Sequence, residues 1–370
     1  MTSVVRVAVE PAYDVHVGAG VFELARRRAR ASDALVRDSG LPAHLGFLGT
    51  RVGVALPAGE AAKDWHALEL IVNTLAERAC DRSTTLFAVG GGATLDVAGL
   101  AAALYLRGID VVYCPTTLLA MVDASVGGKT AINLGVGKNL IGVVRQPKAV
   151  YADFELLASL GDDEYRSGLG EVLKSALIGG ESFLARLERD AQRLVERDFE
   201  ALEELVTRCV RLKARIVARD PFERGPRRAL NLGHTFAHAI ERVAGYGRIP
   251  HGVAVAVGVN LALELAKMAK QLRDSKLPAR VRKLTRRLAL PATLEELRAD
   301  YRVRFDLDKV LAAMQHDKKA VAATPRFVLV SSPGKLDLKF ECATETVRRV
   351  LEASAGARAA AAKRERARPT

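Results

Sequence analysis

Cysteine is scarce in this chain: Cys80, Cys114, Cys209 and Cys342 are scattered through 370 residues, and no two form a CxxC pair. That spacing argues against a disulfide framework and against a thiolate zinc site, and it fits free thiols in a reducing compartment. Aromatic residues make up only 5%. Without basic and aromatic side chains interleaved, a base-stacking nucleic-acid surface is not expected. No apolar run reaches the ~20 residues that a membrane-spanning helix needs. The first ten residues alternate small apolar and polar side chains and lack the basic-then-apolar layout of a secretory leader. The expectation is a cytoplasmic protein with no membrane partner.

What is present is the balance of a globular protein, 49% hydrophobic and 27% charged, and the length suits two domains. The formal net charge is +13. Part of the excess lies in the last residues, where Arg358, Lys363, Arg364, Arg366 and Arg368 oppose only Glu365, and part in the stretch Arg273–Arg287. These read as solvated basic faces rather than a nucleic-acid footprint. A further share serves an anionic substrate, as the motifs below imply.

The first half alternates strand and helix patterns. Val4–Val9 and Tyr13–Val17 alternate like two strands around a Pro-Ala turn. Ala34–Arg37, Thr85–Val89 and Val111–Cys114 read as further strands, and Asp96–Leu106 as a helix rich in small residues. Such alternation predicts a mostly parallel sheet covered on both faces. From about Gly161 the period approaches 3.6, with long helices such as Phe183–Val195 and Phe199–Val217. Arg326–Val330 and Lys335–Phe340 flank Ser-Ser-Pro-Gly, a hairpin signal. The boundaries expected are 1–160 for the α/β domain, 161–353 for the helical domain, and 354–370 for a disordered basic Ala/Arg-rich tail.

Gly90-Gly91-Gly92 follows a predicted strand and precedes a helix. Such a turn lets backbone N–H groups approach a pyrophosphate, whose charge the helix N-terminus favours. The triplet lacks the GxGxxG spacing of the common dinucleotide fingerprint, and glycine triplets also occur in plain tight turns. Asp38, just after a strand, can bind ribose hydroxyls and so favours NAD over its 2′-phosphorylated relative. The plainer alternative is that Asp38 caps a turn.

Residues 115–147 read PTTLLAMVDASVGGKTAINLGVGKNLIGVVRQP, dense in Gly, Lys, Asn and Asp with apolar residues threaded through. Lys129 after Gly127-Gly128, and Lys138-Asn139 after Gly137, present cations on glycine-permitted turns, as a phosphate or carboxylate site requires. With PAGEAAK at 57–63, GGGATLDVAG at 90–99, YLRG at 105–108, GEVLKSALI at 170–178, RRALNLGHTFAHAIE at 227–241, HGVAVAVG at 251–258 and DKK at 317–319, the chain closely resembles the 3-dehydroquinate synthase family of sugar-phosphate cyclases. The resemblance runs from about Tyr13 to Lys319, and the joint order of the motifs is highly specific.

The resemblance implies an α/β fold, with an N-terminal Rossmann-like parallel-sheet NAD-binding domain and a mainly α-helical C-terminal domain. It implies one divalent metal, Zn²⁺ or Co²⁺, held by Glu171, His234 and His251. Helical spacing alone would instead favour His234 with His238, at i and i+4. It implies cofactor contacts from Asp38, Glu60, Lys63, Gly90, Gly91, Gly92, Asp96, Thr116, Thr117, Asp123, Lys129, Lys138 and Asn139. Catalytic contacts are implied for Arg107, Asp123, Lys129, Asn139, Lys174, Lys213, Arg227, Asn231, His238 and Lys318 or Lys319. Lys174, three residues after Glu171, shares its helix face. Arg107 is expected to reach across a homodimer interface. The family's substrate is 3-deoxy-D-arabino-heptulosonate 7-phosphate, whose phosphate and carboxylate both call for cations. It is converted to 3-dehydroquinate by transient oxidation, β-elimination of phosphate, reduction and intramolecular aldol closure, with NAD unchanged at the end.

Two departures stand out. Val253 follows His251-Gly252 where the family commonly has Glu, and Pro221 follows Asp220 in place of an acidic residue, although Glu223 remains. They leave room for a sugar-phosphate cyclase with another substrate. Lys213, Arg227 and Asn231, which match the carboxylate-bearing end, argue against one that takes a carboxylate-free substrate. A metal-dependent polyol dehydrogenase would release NADH and would not need so many anion-binding residues. A silent NAD-binding regulator would not need the ligand and lysine set.

Overall fold

Short runs of β-branched and apolar residues, spaced by helices, build a parallel sheet in the first half of the chain. The computed structural model describes residues 2–42, 45, 50, 52–315 and 325–356. Its first elements are β1 (Ser3–Val7), β2 (Tyr13–Val17), α1 (Val21–Arg28), β3 (Ala34–Asp38), β4 (Val52–Leu56), α2 (Trp65–Glu77), β5 (Thr85–Gly90) and α3 (Gly92–Leu104). There follow β6 (Asp110–Pro115), the hairpin strands β7 (Lys129–Leu134) and β8 (Gly137–Val144), and β9 (Ala149–Ala152). The rest is mainly helical: α4 (Asp162–Gly179), α5 (Glu181–Val195), α6 (Phe199–Arg219), α7 (His234–Ala244), α8 (His251–Met268), α9 (Leu277–Arg287), α10 (Leu294–Tyr301) and α11 (Leu307–Gln315). The hairpin β10 (Phe327–Ser332) and β11 (Lys335–Phe340) and helix α12 (Thr344–Ser354) complete it.

The chain divides into two compact units. One comprises Met1–Gly168 with Arg197–Arg227, and the other Leu169–Glu196 with Arg228–Thr370. Helix α6 therefore groups with the sheet, where it packs on β1 and β2.

In the first unit, seven strands run in the order β1-β2-β9-β6-β5-β3-β4. All pairs are parallel except β1 with β2. The α/β class expected from the sequence is thus present, with one antiparallel edge strand. The order has a physical consequence. From β3 the chain turns to β4 on one side and then to β5 on the other, so the direction of winding reverses between β3 and β5. Ligands of open α/β sheets bind where the carboxyl ends of such strands part. Arg37 pairs with Val89 and Gly90 with Pro115, which aligns Asp38, Gly91 and Thr116 along that one edge.

Helix α3 begins at Gly92, four residues before its expected start, because the extended Gly91 serves as its N-cap. It is apolar around most of its circumference and is covered by the sheet and by β7. The hairpin β7–β8 was hidden in the glycine-rich segment, since Gly135, Gly137 and Gly142 interrupt the strand alternation.

In the second unit, α8 is long and apolar enough by composition to cross a membrane, but 78% of it is buried, as a core helix is. Helices α7, α9 and α12 and strand β10 pack on it. The basic stretch is partly neutralised: Arg280 pairs with Glu181 and Glu188, Arg282 with Glu264, and Arg286 with Glu296. Most of the tail, from residue 357 on, lies outside the described residues.

The contact of α3 with its neighbours depends on Gly99. A Cβ there would lie 2.1 Å from Tyr113 Oη and 2.4 Å from Thr130 Cγ2. Alanine normally stabilises a helix by about 1 kcal/mol over glycine. Gly99→Ala is expected to reverse that sign and destabilise by about 1–3 kcal/mol through overpacking. Denaturant unfolding checks this, and a raised midpoint would contradict the packing.

Candidate functional site

At the strand-end edge of the first unit, β5 runs into Gly90 and α3 starts without a side-chain cap. Its first N–H groups are therefore available to an anion. Gly90 is a steric requirement, and the space at Gly91 and Gly92 is tight. A Cβ on Gly90 would lie 2.7 Å from Thr94, one on Gly91 3.2 Å from Thr117, and one on Gly92 3.1 Å from Ala124. Thr116 is buried and its N–H donates to the Gly90 carbonyl. Thr117 Oγ1 accepts from Ala120 N–H and so starts the π-helical turn Ala120–Ala124. Asp38 Oδ1 accepts the Gly40 N–H at 2.8 Å, so it caps the turn after β3 while standing at the strand-end edge.

A polar network lies beside this edge. Lys63 is almost fully buried, and its Nζ donates to Asp96 Oδ2 and Asn139 Oδ1, both at 2.5 Å. Burial pushes the Asp96 carboxyl up, against the pull of Lys63. Asn133 Nδ2 donates to Glu60, and Asn133 Oδ1 accepts the Asn139 N–H. Lys138 Nζ stands 3.9 Å from Glu60. Asn139 holds a left-handed φ of 54°, a conformation that asparagine tolerates better than most residues. Sequence reasoning named each of these residues except Asn133.

A second cluster in the same unit gathers the anion-site candidates. Lys213 reaches from α6 to Asp123, donating to its backbone oxygen and its Oδ1, both at 2.5 Å. Lys129 pairs with Glu223. Arg227 is 2% exposed and donates to the carbonyls of Pro221 at 2.5 Å and Gly127 at 3.0 Å. Burial holds its pKa below the usual arginine value, opposed by Glu223 and Asp123. Gly127 N–H donates to Tyr13 Oη, whose pKa burial pushes up to about 12. Asp220 accepts the backbone N–H groups of Arg224, Gly225 and Arg227, so the loop bearing Pro221 is fixed. Arg107 is exposed and has a left-handed φ of 65°, next to Leu106 at 49°. For non-glycine residues that is strained backbone.

The second unit holds the metal-site candidates. Glu171 and Lys174 lie on α4, each 1% exposed, and form an ion pair. His234 opens α7 and His251 opens α8. Their Nε2 atoms lie 3.7 and 3.5 Å from Glu171 Oε1. Ligand atoms at 2.0–2.1 Å from a tetrahedral ion would be about 3.4 Å apart. The observed separations fit such an ion, and the N/N/O donor set leaves a position for substrate. The helices can meet this closely because of glycine. A Cβ on Gly170 would lie 1.8 Å from the Gly252 carbonyl oxygen, and one on Gly258 would lie 2.2 Å from that of Gly233. Each contact adjoins one or two of the three candidate ligands.

His234 Nδ1 lies 3.2 Å from the Leu232 carbonyl, which can only accept, so this bond fixes the Nδ1–H tautomer and leaves Nε2 for a ligand. His238 is exposed on α7, its ring 5.4 Å from that of His234. A second group of potential donors, His238, Glu241 and His251, shares His251 with the first. Glu241 was missed as a site residue, although His234, His238 and Glu241 fall at i, i+4 and i+7, one face of a helix. Asn231 ends the helical turn Pro226–Asn231. Lys318 and Lys319 lie outside the described residues.

Burial works against a charge on His251, but the carboxylates of Glu241 and Glu171 outweigh it and push the imidazole up to about 10. Metal ligation needs the neutral imidazole, so an ion must displace this proton. Metal affinity is therefore expected to rise with pH, by up to about tenfold per unit below pH 10, and to level near there. Chelator competition across that range checks this, and a flat profile would contradict it.

Known proteins match these features along most of the chain. Residues 53–167 match the family model of the 3-dehydroquinate synthase N-terminal region, and residues 168–320 that of its C-terminal region. A 3-dehydroquinate synthase of Cereibacter sphaeroides is 40% identical over 358 residues, 92% of this chain and 95% of that protein. One of Neisseria meningitidis is 38% identical over 92% of this chain and 96% of that protein. Among solved structures, 2-deoxy-scyllo-inosose synthase with carbaglucose-6-phosphate, NAD⁺ and Co²⁺ gives a TM-score of 0.84 at 25% identity, covering 96% of this chain and all of that one. The 2-epi-5-epi-valiolone synthase of Streptomyces hygroscopicus, with NAD⁺ and Zn²⁺, gives 0.81 at 28% identity, covering 93% and 96%.

Proposed function

The chain belongs to the 3-dehydroquinate synthase family, and on that premise we propose that it converts 3-deoxy-D-arabino-heptulosonate 7-phosphate to 3-dehydroquinate and phosphate. It is then a carbon–oxygen lyase of aromatic amino acid biosynthesis, using NAD and one divalent ion, Zn²⁺ or Co²⁺. The observation that carries the reading is the convergence of Glu171, His234 and His251 beside Lys174, in a chain that aligns with these synthases over 92% of its length.

When bound, NAD supplies reversible hydride exchange at a secondary alcohol, and the ion supplies Lewis acidity toward that alcohol and the ketone it becomes. The residues hold these groups and the substrate. Glu171, His234 and His251 hold the ion. Gly90, Gly91 and Gly92 offer α3 N–H groups to the pyrophosphate, with Thr116 and Thr117 alongside, and Asp38 accepts ribose hydroxyls. Glu60, Lys63, Asp96, Lys138 and Asn139 shape the rest of the cofactor site. Lys174 places a buried cation next to Glu171, suited to oxygens that gain negative charge. His238 and Asn231 offer hydrogen bonds to substrate hydroxyls, with Asp123 as an acceptor. Lys129 and Lys213 neutralise substrate anions once released from Glu223 and Asp123. Arg227, whose guanidinium carries five donors, spends some on Gly127 and Pro221 and turns the rest to the carboxylate. Lys318 or Lys319 adds a further cation. The reaction is redox-neutral overall, because the hydrogen removed from one carbon returns to it after phosphate has left. The departing phosphate itself is the proposed proton acceptor, since no side chain in these clusters stands as a dedicated base.

We assign NAD binding to residues 1–160, which also lend Asp123 and Lys129 to the substrate, and metal and further substrate binding to 161–353. We further propose a homodimer. Its support is the exposed apolar surface of Leu104, Leu106, Leu140, Val143 and Val144 beside the strained Arg107. In such a dimer Arg107 would reach the partner's substrate. A cytoplasmic location fits four described cysteines that form no disulfide with one another.

A phosphate-release assay with the heptulosonate phosphate, catalytic NAD and Zn²⁺ tests the reading. The expected result is phosphate release that a chelator abolishes, with no net NADH. Accumulating NADH would point to a dehydrogenase, and no reaction would turn attention to carboxylate-free sugar phosphates.

A further inference from the structure

We propose that Glu241 is a positioning residue for the metal site, holding His251 as the Nδ1–H tautomer so that Nε2 alone faces the ion. The inference rests on the reading that Glu171, His234 and His251 bind the metal. Its starting point is the chain's departure at Val253. Where an acidic side chain commonly follows His-Gly, this chain has a fully buried valine with no polar atom to offer the imidazole.

Helix α7 supplies a carboxylate, that of Glu241. Glu241 lies seven residues after His234, two turns along the same face. It is 3% exposed, and its Oε2 is 3.1 Å from His251 Nδ1. A carboxylate kept from water is costly unless paired and hydrogen-bonded, and here its partner is the imidazole that opens α8. Because an ionised carboxylate can only accept, the bond requires a proton on Nδ1. Nε2 is then the nitrogen that can donate a lone pair, and it is the one pointed at Glu171. The Leu232 carbonyl imposes the same tautomer on His234. Two imidazoles from two helices are thus turned by separate acceptors so that both Nε2 atoms converge on one carboxylate oxygen.

The rival arrangement makes Glu241 a ligand in its own right, together with His238 and the Nδ1 of His251. Two features favour the outer role. Glu171 is the more deeply buried carboxylate and already faces two Nε2 atoms, whereas His238 is exposed. Carboxylates that orient ligating histidines typically change metal affinity 10–100-fold when removed.

The test compares full-length Glu241→Gln, Glu241→Leu and His251→Ala with the unaltered protein. Co²⁺ and Zn²⁺ affinities are read by chelator competition, NAD affinity by fluorescence titration, and folding by thermal melting. Glutamine keeps an oxygen that can accept from Nδ1–H, so its loss of metal affinity should stay below about tenfold. Leucine keeps none, and its loss should reach about 10–100-fold, with NAD affinity unchanged in both. Neutron diffraction from the Zn²⁺-loaded unaltered protein should show a deuteron on His251 Nδ1, which decides the matter even if the leucine variant does not fold. Metal bound at Nδ1, or a leucine variant that binds as tightly as the unaltered protein, would overturn the proposal. If His251→Ala also binds metal undiminished, the ligand assignment itself has failed. If it loses the metal while Glu241→Leu keeps it, the role of Glu241 alone has failed.

Discussion

Close approach of helix backbones at glycine is the constraint on which the proposed metal centre depends. Gly170 on α4 lies against the Gly252 carbonyl of α8, and Gly258 on α8 against the Gly233 carbonyl that precedes α7. A side chain at Gly170 or Gly258 would push its helix off by more than the tolerance of a coordination sphere. The residues beside these glycines are Glu171, His251 and His234. The same feature thus sets the packing of three helices and the separation of three candidate ligand atoms. Three of the four glycines lie within helices, where glycine costs about 1 kcal/mol relative to alanine. That local cost is offset by a geometry that no larger residue permits.

Charge follows from the same packing. Glu171 and Lys174 are both nearly inaccessible to water. A buried ion pair of this kind is rarely the most stabilising choice for a core. Its retention fits a site that must handle a dication and developing negative charge. In the sheet-bearing unit the cations are likewise held before use: Lys63 by Asp96 and Asn139, Lys213 by Asp123, Lys129 by Glu223. Such partners keep flexible side chains ordered and reduce the entropy lost when an anion binds.

Much of this was legible in the sequence, and what was not has identifiable causes. Strands β2 and β11 matched their expected bounds because they alternate cleanly between turn residues. The hairpin β7–β8 escaped because three glycines mask its period, although one of them, Gly142, is what lets β8 lie against Thr130 of β7. Glu60, Lys63 and Asn139 were named from motif resemblance alone. Asn133, which ties Glu60 to Asn139, carries no local signal, because its role depends on a contact 73 residues away. Glu241 did carry a signal, the i, i+4, i+7 stripe with His234 and His238, but helical spacing cannot say which stripe residue is a ligand and which orients one. Arg227 was read as a substrate group, and the structure adds that it also ties Gly127 to Pro221, a long-range bond that no pattern along the chain reveals.

The most direct test of the glycine constraint is the Gly170→Ala variant, with Zn²⁺ affinity, NAD affinity and thermal midpoint measured together. The account predicts that metal affinity falls sharply and the midpoint drops, while NAD, whose proposed contacts lie in the other unit, is retained. A variant that binds Zn²⁺ as tightly as the unaltered protein and melts higher, as an ordinary helical glycine-to-alanine change would, contradicts it.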